Sequence, residues 1–171
     1  MHELSSDVEE QRCSKEEGLC MDHIHVVRHW LATLAYRANR VIEAAPLQYP
    51  NFSVGKGVRT PVEIVHHISD ILALGYEILS PGASRRPHEQ QAVVTWPEEV
   101  ERFYTELESL DKLVQTELEV SEHTWNRFIQ GPMADVMTHV GQLVMLRRMA
   151  DAPLPAQRYS IAGIEAGRFR L

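Results

Sequence analysis

The chain has 171 residues, of which 44% are apolar, and it carries a formal net charge of −7 at pH 7. This length and composition suit one globular domain with its own hydrophobic core. The acidic balance argues against a nucleic-acid-binding protein that relies on a basic surface.

Residues 1–20 are predicted to form a polar N-terminal tail, followed by a single domain over residues 21–171. Both cysteines of the chain, Cys13 and Cys20, fall in the tail and do not make a disulfide framework, which favours a reducing compartment. The tail is acidic and therefore differs from a secretory signal, and no apolar run approaches the ~20 residues of a membrane span. We expect a cytoplasmic protein without a membrane or nucleic-acid partner.

The first helix is predicted from about residue 23 to about residue 44, with Asp22 as its N-cap. Its apolar residues recur at the spacing of one helical face: Val27, Trp30, Leu31, Leu34, Ala38, Val41 and Ile42. Two prolines and two glycines then mark a loop.

The second and third helices begin with the same signature, an N-cap threonine, a proline and a glutamate that closes a capping box. These residues are Thr60, Pro61 and Glu63 in the second helix, and Thr95, Pro97 and Glu98 in the third. The second helix is predicted to end near Leu79. The apolar seam of the third continues to Leu118.

The fourth helix is predicted over residues 132–150, after a connector that contains Trp125 and Phe128. Gly131 and Pro132 mark its start, and a short irregular segment follows it. Four helices without a strand pattern predict an all-α four-helix bundle, with a topology that the sequence leaves open.

Two histidines and one carboxylate fall at the edge of the predicted core. A helix turns by about 100° per residue, so His67 lies about 60° from the centre of the apolar face of the second helix, whereas His66 falls on its polar face. On the fourth helix, Asp135, His139 and Gln142 share an arc of about 60° on a nearly all-apolar surface.

Two imidazoles and one carboxylate suit a divalent ion such as zinc, nickel, manganese or iron, and the cation would offset the cost of burying Asp135. The same residues also fit roles that need no metal. An inward histidine can be an ordinary core residue, and Asp135 and His139 can form an (i, i+4) ion pair or place a carboxylate at a helix N-terminus.

Two stretches, RTPVEIVHHISDILALGYEIL and GPMADVMTHVGQLVMLRR, resemble the helical signatures of the DinB-like (DinB/YfiT-type) superfamily of metal-dependent hydrolases. The segments HVVRHWLATLAYRA and WPEEVERFYTELESLDKLV are similar to its first and third helices. The resemblance covers about residues 22–150, and its most specific part runs from His139 to Arg148.

The resemblance implies a four-helix bundle, commonly a homodimer, with a divalent metal bound by three histidines. His67 and His139 match two of these ligands, whereas Asp135 replaces the third. Asp135 is therefore a metal ligand, a catalytic base or a sign that the metal site has been lost. Asp70 and Gln142 are candidate partners that orient the metal-binding imidazoles.

The resemblance also implies a metal-dependent hydrolase or a thiol-dependent transferase that acts on a small molecule of unknown identity. The alternative is a non-enzymatic dimeric bundle, a binding or stress protein whose metal site is structural or lost. Arg37, Arg168 and Arg170 are candidates for contact with an anionic substrate, and the alternative for the C-terminal residues is a solvated tail.

Overall fold

The computed structural model describes residues 23–43, 45–82, 95–116 and 118–170. Within these ranges the regular structure is helical and contains no strand, which confirms the all-α prediction. The helices are α1 (His23–Ile42), α2 (Pro61–Leu79), α3 (Trp96–Val114), α4 (Glu122–Phe128) and α5 (Ala134–Met149). The predicted polar tail lies outside the described residues.

The predicted connector before the fourth helix is itself helical. α4 continues through a π-helical turn, Ile129–Met133, directly into α5. Pro132 lies inside this turn, where a wider hydrogen-bonding pattern accommodates a residue that lacks a backbone N–H. The glycine–proline pair therefore marks a local change of helical pitch rather than the start of a helix.

The other boundaries follow the sequence signals closely. The threonine, proline and glutamate at the start of α2 and of α3 form the two predicted capping boxes. α1 ends at Ile42, slightly earlier than predicted. α3 ends at Val114, earlier than its apolar pattern suggested. Leu118, the last residue of that pattern, packs on the core from the segment after the helix.

The four long helical segments form a closed ring. α1 packs against α3 and α5, and α2 packs against the same two helices. Around the bundle the order is therefore α1, α3, α2 and α5, so the α1–α2 and α3–α5 connections each cross a diagonal, whereas α2 and α3 are neighbours. This order places the α2–α5 interface opposite the α1–α3 interface.

α2 and α5 run antiparallel, as their end contacts show. Near the end of α2, a Cβ atom on Gly75 would lie 3.0 Å from Cε2 of Phe128 and 3.3 Å from Cβ of Pro132. Near its start, Ile64 lines the same pocket as Met145. Gly75 thus permits a close approach of the two segments, and Phe128 is fully buried there.

The C-terminal segment is irregular, as predicted, and packs against the α1–α3 side of the bundle. Phe169 is buried, and its carbonyl oxygen accepts a hydrogen bond of 2.7 Å from Nδ2 of Asn39. Arg170 donates two hydrogen bonds to the carboxylate of Glu101. In the part of the chain that the structure describes, no helix is both long and apolar enough to cross a lipid bilayer.

Candidate metal centre

His67, Asp135 and His139 lie together at the α2–α5 interface. One potential ligand atom from each residue lies within 4.8 Å of the others. The two imidazole rings meet edge to face, with centroids 4.8 Å apart and an interplanar angle of 81°. α2 contributes one imidazole, and one turn of α5 contributes the other imidazole and the carboxylate, so this group could hold a metal ion.

Helical periodicity explains why α5 presents two of these groups together. Asp135 and His139 are four residues apart, and Oδ1 of Asp135 lies 3.3 Å from Nε2 of His139. Gln142 follows on the same face, one turn further along. The three polar side chains that share one arc of the helix therefore lie in a row beside His67.

Gln142 determines which nitrogen of His139 faces the site. Its Oε1 atom accepts a hydrogen bond of 2.8 Å from Nδ1 of His139. With the proton held on Nδ1, the neutral imidazole keeps its lone pair on Nε2, which faces Asp135. Gln142 thus lies where a residue that orients a metal-binding histidine would lie.

His67 is electrostatically suited to remain neutral. Burial lowers its pKa from the ordinary value of 6.5, and the electrostatic interactions with Arg59 and His139 lower it further. Asp135 and Asp70 oppose the shift. Since a metal binds the neutral imidazole, the lowered pKa favours the form that can act as a ligand near pH 7.

Asp135 is more exposed than its helix suggested. Its side chain is 50% exposed, whereas that of His139 is 9% exposed. The expectation that a cation must offset the burial of Asp135 is therefore wrong, because water already reaches the carboxylate. The same exposure gives the three-residue group an open side.

The structure places Asp70 on another face of α2. It accepts a hydrogen bond from Nη2 of Arg102, and it lies 3.5 Å from Nε2 of His66. Among the described residues it makes no hydrogen bond with the imidazole of His67 or His139. Its influence on His67 is limited to the longer-range effect of its charge.

His66 lies beside Asp70 among polar side chains, as expected, but this face of α2 is covered by α3 rather than open to solvent. Its ring is mostly buried against α3, where Nδ1 lies 2.8 Å from Oε1 of Glu99. Glu99 is 1% exposed, a burial that the sequence interpretation missed. The signal was present: Glu99 precedes the buried residues Phe103 and Leu107 at four-residue intervals, so helical spacing places all three on one face.

The cations proposed from the sequence lie away from this centre, on the opposite side of the bundle. Arg37 stacks on the ring of Tyr159, 3.8 Å from its centroid, and Arg170 binds Glu101. Arg168 lies 3.8 Å from Glu165. The arginine that acts on the candidate centre is Arg59, immediately before the N-cap of α2, which the sequence interpretation did not single out.

Comparison of the chain with protein-family models, with curated proteins and with solved structures found no match in any of the three.

Proposed function

We propose that this protein is a DinB-like metal-dependent hydrolase of a small molecule, with one divalent ion held by His67, Asp135 and His139. The observation that carries the proposal is the convergence of their three donor atoms within 4.8 Å, from two antiparallel helices. The family resemblance rests on the same residues and supports the same site.

The chemistry of the donors fits zinc, nickel, manganese or iron. Two imidazole nitrogens and one carboxylate oxygen are ligands that these ions accept, and their number leaves coordination positions open. When bound, such an ion supplies a Lewis acid that acidifies water and polarises a carbonyl or phosphoryl oxygen.

The surrounding side chains have separate roles in this proposal. Gln142 holds the proton of His139 on Nδ1 and so directs Nε2 inward. Burial and the charge of Arg59 lower the pKa of His67 and so favour its neutral form. Asp135 contributes the negative charge of the cluster, and its exposure provides the open side through which a substrate can enter.

The first test is metal content. We expect protein purified without chelator or nickel resin to hold about one divalent ion per chain, measured by elemental analysis. His67→Ala and His139→Ala should each remove the ion, and Asp135→Asn should weaken its binding because the carboxylate charge is lost.

His123→Ala is the matched control, because His123 is exposed on α4, away from the three ligands. This variant should keep the ion. Circular dichroism on every variant separates loss of metal from loss of fold. A correctly folded native chain that holds no metal would refute the proposed site.

The second test is turnover. The zinc-loaded chain should hydrolyse activated carboxylate esters, and His139→Ala should abolish this activity while the bundle remains folded. A stoichiometric ion without turnover on an ester and amide panel would contradict the hydrolase proposal and favour the non-enzymatic alternative.

A further inference from the structure

A largely apolar pocket adjoins the candidate centre. It has a volume of about 680 Å³, within the range of small-molecule sites, and lies between the start of α2 and the end of α5. Its lining includes Val58, Arg59, Ile64, Gln142, Met145 and Met149.

Two residues link this pocket to the centre. Gln142 lines the pocket and also accepts the hydrogen bond from His139. Arg59 lines the pocket, and its charge acts on His67. Along α5, His139, Gln142, Met145 and Met149 are three or four residues apart, so the centre and the pocket share one helix face.

The pocket presents apolar side chains to solvent. Val58 is 47% exposed, Met145 is 57% exposed and Met149 is 51% exposed. Clustered exposed apolar residues beside a polar site are typical of a ligand-binding surface. Two methionines suit an irregular or flexible apolar ligand, because their unbranched side chains adapt to its shape.

Arg59 supplies the charge of this pocket. In the part of the chain that the structure describes, its guanidinium makes no hydrogen bond or ion pair. The carboxylate of Glu63, four residues on, is already engaged, since its Oε2 accepts hydrogen bonds from the backbone N and Oγ1 of Thr60. The guanidinium is therefore available to an anion.

From this arrangement we infer that the pocket binds the substrate, an amphipathic monocarboxylate whose apolar body lies on Met145 and Met149 and whose carboxylate binds Arg59. The inference rests on the proposed function, because it identifies the substrate class of the same site. A single negative charge is favoured over a doubly charged phosphate, since Arg59 is one cation and the carboxylate of Glu63 already interacts with its charge.

Octanoate is a suitable probe, and methionine methyl groups are the reporters. Full-length zinc-loaded protein carrying ¹³C-methyl methionine is titrated with octanoate and followed by NMR. The methyl signals of Met145 and Met149, assigned with the leucine variants of each, should shift. The signal of Met133, which is buried in the π-helical turn before α5, should not.

Arg59→Gln should weaken octanoate binding about tenfold, as expected for one charge-assisted hydrogen-bonding partner, and should leave the binding of octan-1-ol unchanged. Arg59→Lys should restore part of the affinity because the charge returns without the planar fork. Arg127→Gln, which removes an exposed arginine on α4, is the control for net charge and should have no effect.

Three results would overturn the inference: octan-1-ol that binds the native chain as tightly as octanoate, octyl phosphate that binds more tightly, or an Arg59→Gln variant with unchanged octanoate affinity. Metal content is measured on the same samples. A native chain without metal that still binds octanoate through Arg59 would refute the proposed hydrolase alone, whereas metal retention without octanoate binding would refute only the substrate class.

Discussion

His139 shows how much of the candidate centre depends on single side chains. Its ring has one nitrogen on Gln142 and the other facing Asp135, so one hydrogen bond selects the tautomer that can bind a metal. Removal of this hydrogen bond leaves the imidazole of His139 in place but allows its proton to move from Nδ1 to Nε2.

We therefore predict that Gln142→Ala lowers the affinity for zinc by about 10- to 100-fold, the usual effect of losing a partner that orients a ligand. The measurement is competition with a chromophoric chelator at pH 7. Gln48→Ala, at an exposed position in the loop after α1, should leave the affinity unchanged. Equal affinities for the native chain and Gln142→Ala would show that Gln142 does not orient the ligand.

At the scale of a helix, the start of α2 positions both His67 and Arg59. Oε2 of Glu63 accepts a hydrogen bond of 2.7 Å from the backbone N of Thr60 and one of 2.8 Å from its Oγ1. These hydrogen bonds lower the pKa of Glu63 from its ordinary value of 4.5. The carboxylate is thus stabilised by the folded structure in its charged form.

The lowered pKa has a consequence for stability that depends on pH. The contribution of Glu63 is fully present above the ordinary pKa of 4.5 and is lost as the pH falls through the lower value of the folded state. We predict that Glu63→Ala lowers the free energy of unfolding by about 0.5–1 kcal/mol at pH 7, a modest value because the site is exposed.

Urea denaturation of the native chain and the variant at pH 7 and pH 3 is the measurement. The difference in free energy of unfolding between the native chain and Glu63→Ala should be smaller at pH 3, where protonation of the Glu63 carboxylate weakens the capping interaction. Glu119→Ala, in the exposed segment after α3, should behave as the native chain at both values. An undiminished difference at pH 3 would contradict the capping role.

At the scale of the whole molecule, the order of the helices separates the candidate metal centre from the C-terminal segment. The candidate metal centre lies between α2 and α5, and the C-terminal segment packs on the opposite side. There Asn39, which is 1% exposed, donates to the carbonyl of Phe169 and accepts a hydrogen bond of 2.7 Å from the hydroxyl of Tyr104. One buried amide thus joins α1, α3 and the C-terminal segment.

We predict that Asn39→Ala lowers the free energy of unfolding by about 1–3 kcal/mol, because it leaves buried hydrogen-bonding groups unpaired. Urea denaturation measures this loss, and zinc affinity below the unfolding transition should stay at the native value because the centre lies across the bundle. Gln157→Ala, which removes an exposed hydrogen bond to Tyr36, should cost less than about 0.5 kcal/mol. A loss of stability no larger than that of Gln157→Ala would refute the bridging role of Asn39.

The features that depend only on residues nearby in the sequence could be predicted from the sequence. Apolar spacing and the two capping boxes identified α1, α2 and α3, since both depend on neighbours within a turn or two. Helical angles placed Asp135, His139 and Gln142 together for the same reason. The inward position of His67 also follows from the period of its own helix.

Other features depended on residues far apart in sequence. Pro132 remained inside a helix because a π turn beside Gly75 of α2 accommodates it, and the side chain of Asp135 stayed half-exposed although its helix is apolar. His66 packed against Glu99 because α2 and α3 are neighbours in the ring.

The sequence by itself therefore determined the helical class, the starts of α2 and α3 and the three candidate ligands, because helical periodicity and capping act over a few residues. Only the tertiary structure decided that α2 meets α5, that Arg59 lies beside His67 and that an apolar pocket continues from the centre. These three features depend on the order of the helices around the bundle. That order is decided by packing between segments that are far apart in the sequence.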